Sequence, residues 1–262
     1  MKFFFLITFG RHSKIVKIIA IINFFFNFKF WKALLLLKED KLNFFFKAIK
    51  DKYIYEFYLL KDTQDIIEYF SKKYQFNYDD WFSYNINIWK NYLMPLKEIK
   101  YLEIGSFEGR SAVFVGELNN VEEVTCVDTF DGSDEHKDDN FDLVYKNCSE
   151  NLKKLNTPYN LIKDTSHNFF KKNNKKFNVI YIDGSHFYDD VKKDFINAMN
   201  CLDEEGILIC DDFLWFYYKK IEDNPIGAIL ECYENYKNDL EILFINYQII
   251  FKKTKSYSPH IV

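Results

Sequence analysis

The stretch YLEIGSFEG, from Tyr101 to Gly109, decides the fold of this 262-residue chain. An apolar run ends at Ile104, and Gly105 and Gly109 follow, which indicates a strand that turns sharply into a helix. In open α/β sheets such a turn lies at the carboxyl end of a strand, where free backbone N–H groups meet a ligand. The order E-x-G-x-x-x-G differs from the dinucleotide fingerprint G-x-G-x-x-G. The stretch therefore predicts a cofactor loop of another kind.

From Ile99 onward, short apolar runs alternate with amphipathic segments, a pattern typical of parallel strands connected by helices. The predicted strands are Ile99–Ile104, Glu123–Val127, Tyr159–Ile162, Phe177–Ile182, Gly206–Cys210, Leu240–Asn246 and Tyr247–Lys252. The predicted helices are Gly109–Leu118, Phe141–Leu155, Ser166–Lys172, Tyr188–Leu202 and Pro225–Tyr236. The last two strands almost touch in sequence, so we expect a hairpin and an antiparallel strand. The predicted fold class is α/β: a Rossmann-like, doubly wound seven-stranded sheet, mostly parallel, with an antiparallel C-terminal hairpin strand and an N-terminal helical extension.

The chain divides into four predicted segments. Residues 1–60 form a helical accessory segment, 61–97 a helical lead-in that Pro95 closes, 98–254 the main domain with the sheet, and 255–262 a tail. A hydrophobic content of 48% over 262 residues supports one sizeable core and a smaller appendage, but not two full domains.

The bulk composition excludes some classes of protein. A formal net charge of -4 gives no overall basic footprint, so we expect no nucleic-acid partner. Five widely spaced cysteines form no zinc cluster and fit a reduced, cytoplasmic protein. Charged residues interrupt the apolar runs of the first 28 residues, so no transmembrane segment is expected. A peripheral membrane contact through the phenylalanines at 24–26 and nearby lysines stays open, and so does the oligomeric state.

Two acidic residues at predicted strand ends indicate the cofactor. Glu103 would be unfavourable beside a pyrophosphate but suits a cation, such as the charged methionine end of S-adenosylmethionine. Asp128 follows the next strand, 25 residues after Glu103, where it would bind ribose hydroxyls. The glycine loop alone is also compatible with an ordinary strand–helix turn. The loop and Asp128 together predict S-adenosylmethionine as the cofactor.

These residues carry a resemblance to a known family. YLEIGSFEGRSAV, from Tyr101 to Val113, resembles motif I of the class I S-adenosylmethionine-dependent methyltransferases, particularly the catechol-O-methyltransferase-like and macrocin-type sugar O-methyltransferase branches. VDTFDGSDEH, from Val127 to His136, is similar to the same class, and the resemblance covers about 99–252. It implies a methyltransferase domain over 98–254. For Asp164 a helix-capping role is an equal alternative. The cofactor contacts that the resemblance implies are Glu103, Gly105, Ser106, Phe107, Gly109, Ser111, Asp128, Thr129, Asp164 and Thr165.

Three further acids follow the fourth and fifth predicted strands: Asp183, Asp211 and Asp212. Carboxylates that cluster repel one another unless they are protonated or bridged by a cation such as Mg²⁺. In the enzymes that the chain resembles, the matching positions bind a divalent cation, with Asn often in place of Asp212. His186 matches the basic residue that takes the proton from the acceptor. A histidine that caps the helix near Tyr188 is the alternative, and Asp183 is the alternative base.

The function that the resemblance implies is metal-assisted O-methylation of a hydroxyl on a small molecule or a glycan. A metal-independent methyltransferase that acts on another acceptor is one alternative, and a non-catalytic binding module with the same fold is another. A nicotinamide-dependent oxidoreductase is disfavoured by the glycine spacing and by the terminal hairpin. The sequence does not identify the acceptor.

Overall fold

The computed structural model of the chain describes residues 14–55, 64–132 and 140–254. Part of the predicted accessory segment, the predicted tail and the end of the second resembling stretch, including His136, lie outside these ranges. The helices before the sheet are α1 (Lys14–Phe25), α2 (Phe28–Leu34), α3 (Lys41–Ile54), α4 (Gln64–Lys73) and α5 (Ile86–Leu93). The strands are β1 (Ile99–Ile104), β2 (Val121–Asp128), β3 (Tyr159–Lys163), β4 (Phe177–Ile182), β5 (Leu202–Cys210), β6 (Leu240–Ile245) and β7 (Ile249–Lys253). The helices among them are α6 (Arg110–Gly116), α7 (Phe141–Leu152), α8 (Ser166–Lys172), α9 (Tyr188–Cys201) and α10 (Pro225–Tyr236), and short 3₁₀ helices occupy Ser83–Asn85 and Ile221–Asp223.

The strands form one seven-stranded sheet in the order β3-β2-β1-β4-β5-β7-β6. β1 to β5 run parallel, and β7 is antiparallel to both of its neighbours. The central strands β1 and β4 are almost fully buried because helices cover both faces of the sheet. The predicted fold class is therefore confirmed, including the antiparallel hairpin.

The predicted boundary between the last two strands was wrong. Two strands that abut at 246 and 247 leave no residues for a turn, and the chain instead turns over 246–248. The backbone N–H of Asn246 donates to the carbonyl oxygen of Gln248 at 2.8 Å. β7 then inserts between β5 and β6. The turn also places the side chain of Gln248, only 1% exposed, beneath the carboxyl end of β5.

The N-terminal helices pack against the C-terminal part of the sheet domain. Phe44 of α3 lies 6.1 Å from Phe213 between ring centroids. The carboxylate of Asp51 accepts a hydrogen bond from the backbone N–H of Ile245 at 2.9 Å, and Lys47 donates to the carbonyl oxygen of Leu243 at 2.9 Å. The predicted accessory segment, as far as the structure describes it, thus shares the core of the main domain.

Two further sequence expectations concern the described residues. All five cysteines are buried and unpaired, so they act as small apolar core residues. Among the helices within 14–55, 64–132 and 140–254, none is both long and apolar enough to span a bilayer.

Candidate active site

The glycine loop takes the conformation that its sequence requires. Gly105 has φ +85° and Gly109 has φ +76°, a region that disfavours residues with a side chain. A Cβ atom on Gly105 would lie 1.9 Å from the carbonyl oxygen of Asp183, so glycine alone fits there. The N–H of Gly105 donates to the carbonyl oxygen of Val127 at 2.9 Å. The loop therefore lies directly over the carboxyl ends of β1, β2 and β4.

Asp128, at the end of β2, holds this loop in place. Its carboxylate accepts hydrogen bonds from the backbone N–H groups of Ser106 at 2.7 Å, Phe107 at 2.8 Å and Phe130 at 2.7 Å. A carboxylate offers about four acceptor positions, so capacity remains for a ribose hydroxyl. The neighbouring Thr129 accepts a hydrogen bond from the backbone N–H of Asp131 at 3.3 Å. The sequence predicted the cofactor role of Asp128 but not its role in shaping the loop.

Glu103 and Ser106 have buried oxygen atoms that suit the methionine end of the cofactor. Glu103 is fully buried, and the hydroxyl of Tyr101 donates to its Oε2 at 2.6 Å. Within the described part of the chain, Glu103 Oε1 and Ser106 Oγ are buried without a hydrogen-bond partner. Burial raises the pKa of Glu103 to about 7. Because buried polar atoms are normally satisfied, these two indicate a polar ligand, and an ammonium group fits beside Glu103.

The acidic residue between the two glycines connects the loop to the lead-in. Glu108 is buried and accepts hydrogen bonds from the backbone N–H groups of Asn77 at 2.8 Å and Tyr78 at 3.0 Å, and from Asn147 Nδ2 at 2.7 Å. The Tyr78 ring in turn lies 5.2 Å from that of Phe107, which has φ +47°. Asn77 and Tyr78 thus contact the glycine loop directly. Sequence reasoning missed Glu108, although an acid inside a glycine loop is a visible signal.

Three other predicted cofactor residues have local structural roles. Ser111 is buried in the first turn of α6. Thr165 is the N-cap of α8, and its Oγ1 accepts a hydrogen bond from the backbone N–H of Asn168 at 3.2 Å. Asp164 accepts a hydrogen bond from Asn168 Nδ2 at 2.8 Å, which lowers its pKa. The N-cap of α8 is thus Thr165, and the predicted cofactor contacts of Asp164 and Thr165 stay predictions.

The predicted acids meet at the carboxyl ends of β4 and β5. The hydroxyl of Tyr181 lies 2.8 Å from Asp183 Oδ2 and also makes a hydrogen bond with Asp211 Oδ2. The Tyr181 hydroxyl has one proton and can donate it to only one of the two carboxylates. The other contact therefore requires a proton on the carboxyl group of Asp183 or Asp211. Burial and the charge of Asp211 raise the pKa of Asp183 well above its usual range. Burial and the charge of Asp212 raise the pKa of Asp211 to about 7.

Asp211 is hydrogen-bonded to the terminal hairpin. Gln248 Nε2 donates to Asp211 Oδ2 at 2.8 Å, and Gln248 Oε1 accepts from Trp89 Nε1 at 2.8 Å. This chain of hydrogen bonds connects β5, the hairpin turn and α5. Sequence reasoning missed Tyr181, Gln248 and Trp89, because each lies in an apolar run and resembles an ordinary core residue.

His186 lies beside Asp212 and not at a helix cap. Its Nε2 is 2.6 Å from Asp212 Oδ2, and the N-cap of α9 is Phe187, so the capping alternative for His186 is wrong. One potential ligand atom from each of Asp183, His186 and Asp212 falls within 4.8 Å of the other two. This spacing fits a divalent cation. The sequence analysis predicted Asp183, Asp211 and Asp212 as the metal ligands. In the structure, His186 takes the place of Asp211 in this cluster.

Aromatic side chains border this acidic cleft. The ring of Trp215 lies 4.8 Å from that of His186 and stacks on Tyr217 at 5.1 Å with an interplanar angle of 10°. Tyr218 stacks on Phe187 at 5.4 Å. Tyr217 is 62% exposed and Phe187 46% exposed. These four residues, which we call the aromatic rim, offer flat apolar surfaces next to the cleft.

Comparisons with known proteins agree with the geometry. Residues 102–213 match the family model described as a methyltransferase domain. The fold, the glycine loop and this match identify 102–213 as a methyltransferase domain. This match agrees with the class of protein that the stretch from Tyr101 to Val113 resembles. No protein sequence with a curated description matches the chain.

Two solved structures illustrate the shared fold. One is an O-methyltransferase from Bacillus cereus in complex with SAH, at 13% identity and a TM-score of 0.50; the alignment covers 80% of this chain and 99% of that one. The other, a proposed O-methyltransferase from Klebsiella pneumoniae, is 12% identical with a TM-score of 0.50 and covers 79% and 97%. At such low identity, these similarities establish the fold and nothing more specific.

Proposed function

We propose that the chain catalyses metal-assisted O-methylation of a hydroxyl group on a small molecule or a glycan. The observation that carries this proposal is the cluster of Asp183, His186 and Asp212, whose ligand atoms lie within 4.8 Å of one another. The cluster lies against the glycine loop, since Gly105 contacts the backbone of Asp183. A cofactor in the loop and an acceptor in the cleft would therefore meet at this point.

The cofactor half of the site supports the first part of the proposal. Glu103 and Ser106 hold unsatisfied buried oxygen atoms for the methionine end, and Asp128 retains acceptor capacity for the ribose. When bound, S-adenosylmethionine supplies a methyl group on a positively charged sulfur. A loop that holds the methionine end would fix the position of the methyl group relative to the cleft. Methyl transfer requires such positioning of the two reactants.

The acidic cleft supports the second part. Asp183 and Asp212 supply carboxylate oxygen atoms, the ligands that Mg²⁺ prefers, and His186 is the neighbouring basic group. When bound, the cation would lower the pKa of the acceptor hydroxyl. The imidazole of His186 accepts the hydroxyl proton, and Asp212, 2.6 Å from Nε2, stabilises the imidazolium that forms.

The aromatic rim supports the acceptor class. Trp215 and Tyr217 are stacked nearly parallel and Tyr217 is exposed, so their faces are available to a planar ring or to the apolar face of a sugar. A phenolic ring or a glycan is therefore the acceptor that this cleft fits best.

The test is a methyl-transfer assay that detects S-adenosylhomocysteine with a panel of catechols and sugars. We expect activity that EDTA abolishes and Mg²⁺ or Mn²⁺ restores. Asp183→Asn should lower the rate strongly, whereas Asp189→Asn, which removes an exposed carboxylate at the start of α9, should leave it unchanged. Full activity in chelator would contradict the metal, and an unchanged rate in His186→Ala would contradict the base.

A second candidate function keeps the cofactor and omits the cation. The direct contact between His186 and Asp212 favours it, because a carboxylate that orients an imidazole is sufficient for general-base catalysis. The two candidates differ in the chelator experiment, since this one predicts full activity in EDTA and strong loss in both His186→Ala and Asp212→Asn.

A further inference from the structure

The N-terminal helices expose an unusual number of large apolar side chains. On α1, Ile18, Ile22 and Phe25 follow at intervals of four and three residues, so they share one face, and each is about half exposed. Phe26, which follows α1 directly, is 64% exposed. On α3, Leu42 and Phe46 are one helical turn apart and are 68% and 63% exposed.

These side chains form one continuous surface. The ring of Phe25 lies 5.6 Å from that of Phe26 and 5.8 Å from that of Phe45. Phe45 in turn lies 5.8 Å from Phe46, so Phe45 connects the exposed rings of the two helices. We call the surface formed by Ile22, Phe25, Phe26, Leu42 and Phe46 the N-terminal apolar patch. Contiguous exposed apolar surface of this kind marks an interaction site.

The charge around the patch is opposite to that of the rest of the chain. Residues 18–55 contain 7 lysine residues and 3 acidic ones, whereas the whole chain has a net charge of -4. The exposed lysines include Lys29 and Lys32 on α2 and Lys50 on α3. An apolar face with lysines beside it matches an anionic lipid surface, which takes apolar side chains between its headgroups and attracts the cations.

We propose that the N-terminal apolar patch docks the protein on the surface of an anionic phospholipid bilayer. The lysines bring helices α1 to α3 to the lipid headgroups, while the acidic remainder is repelled and stays in solution. A symmetric contact between two copies of the chain would place two cationic faces against each other. Charge repulsion therefore disfavours a second copy as the partner of the patch.

This docking would place the cleft near the lipid. Lys29 Nζ donates to the carbonyl oxygen of Phe216 at 3.1 Å and lies 5.4 Å from the centre of its ring. Phe216 belongs to the segment that carries Trp215 and Tyr217 of the aromatic rim. The docking helices thus contact the segment that carries the rim, and on the proposed function an acceptor embedded in or attached to the membrane would reach the cleft from this side.

The experiment is co-sedimentation of the full chain with vesicles. We expect binding to vesicles of phosphatidylcholine mixed with phosphatidylglycerol, and little binding to phosphatidylcholine alone. The double variant Phe26→Gln/Phe46→Gln should weaken binding by about tenfold or more, since two aromatic side chains no longer enter the lipid. Lys32→Glu/Lys50→Glu should weaken binding by a similar factor. The matched control is Met94→Gln, which replaces a side chain that is 58% exposed at the end of α5.

Each variant is first checked for unchanged affinity for S-adenosylhomocysteine, which shows that it folds. Absence of binding to the anionic vesicles overturns the proposal. Undiminished binding of the double phenylalanine variant also overturns it, because residues outside the patch then make the contact. A dimer in solution that the same double variant dissociates would assign the patch to a second copy instead.

Discussion

The pH dependence of cofactor binding is the sharpest test of the glycine loop. Glu103 is fully buried, and its pKa of about 7 means that the empty site holds a protonated, neutral carboxyl group over the acidic range. An ammonium group requires the ionised form. Binding therefore releases a proton, and the affinity for S-adenosylhomocysteine should fall about fivefold from pH 7 to pH 6 and approach tenfold for each further unit.

The same group gives a stability prediction of defined sign. The pKa of Glu103 is higher in the folded chain than the usual value of 4.5, so the contribution of Glu103 to stability is present below pH 4.5. That contribution is lost as the pH rises through about 7, and the loss amounts to about 3 kcal/mol. Glu103→Gln cannot ionise. The variant without ligand should therefore unfold at a higher temperature than the natural chain at pH 8, although it binds the cofactor more weakly.

Calorimetry in two buffers of different ionisation enthalpy measures the released proton directly, and thermal unfolding measures the stability. Glu103→Gln serves as the matched control, because its affinity should be low and independent of pH. An affinity of the natural chain that does not change between pH 6 and pH 7 would refute the reasoning. A Glu103→Gln variant that is less stable than the natural chain at pH 8 would refute it as well.

Other predictions concern the loop and the acidic cleft. Asp128→Asn weakens the acceptor of three backbone N–H groups and should destabilise the chain by roughly 2 kcal/mol in thermal unfolding. Asp131→Asn, on an exposed residue, should be neutral. Gly105→Ala should cost about 3 kcal/mol or more, since its Cβ would meet a backbone carbonyl at 1.9 Å; Gly109→Ala, whose Cβ meets a cysteine sulfur at 3.1 Å, should cost less. Tyr181→Phe should leave the affinity for S-adenosylhomocysteine unchanged in calorimetry and should lower the rate of methyl transfer, because the acids lose their shared donor.

The sheet and the cofactor loop could be predicted because they depend on local sequence. Apolar runs predict the strands, and residues at the carboxyl end of each parallel strand lie at one edge of the sheet. Glu103, Asp128 and Asp183 lie at that edge, as predicted. Strand boundaries were less accurate. The turn at 246–248 contains Tyr247, an aromatic residue with high strand propensity, and only the geometry of a hairpin shows that the chain must bend there.

The partners of the acids could not be predicted, because they are brought together by the order of the strands. Tyr181 and Gln248 are 67 residues apart in sequence, and their side chains approach to 3.4 Å only because β7 inserts beside β5. The insertion has a chemical consequence. It places a neutral amide against Asp211, whereas Asp212 pairs with His186. In a parallel strand at the same edge, the turn that precedes the strand would lie at the opposite end of the sheet. The hairpin of the fold is therefore a component of the candidate active site.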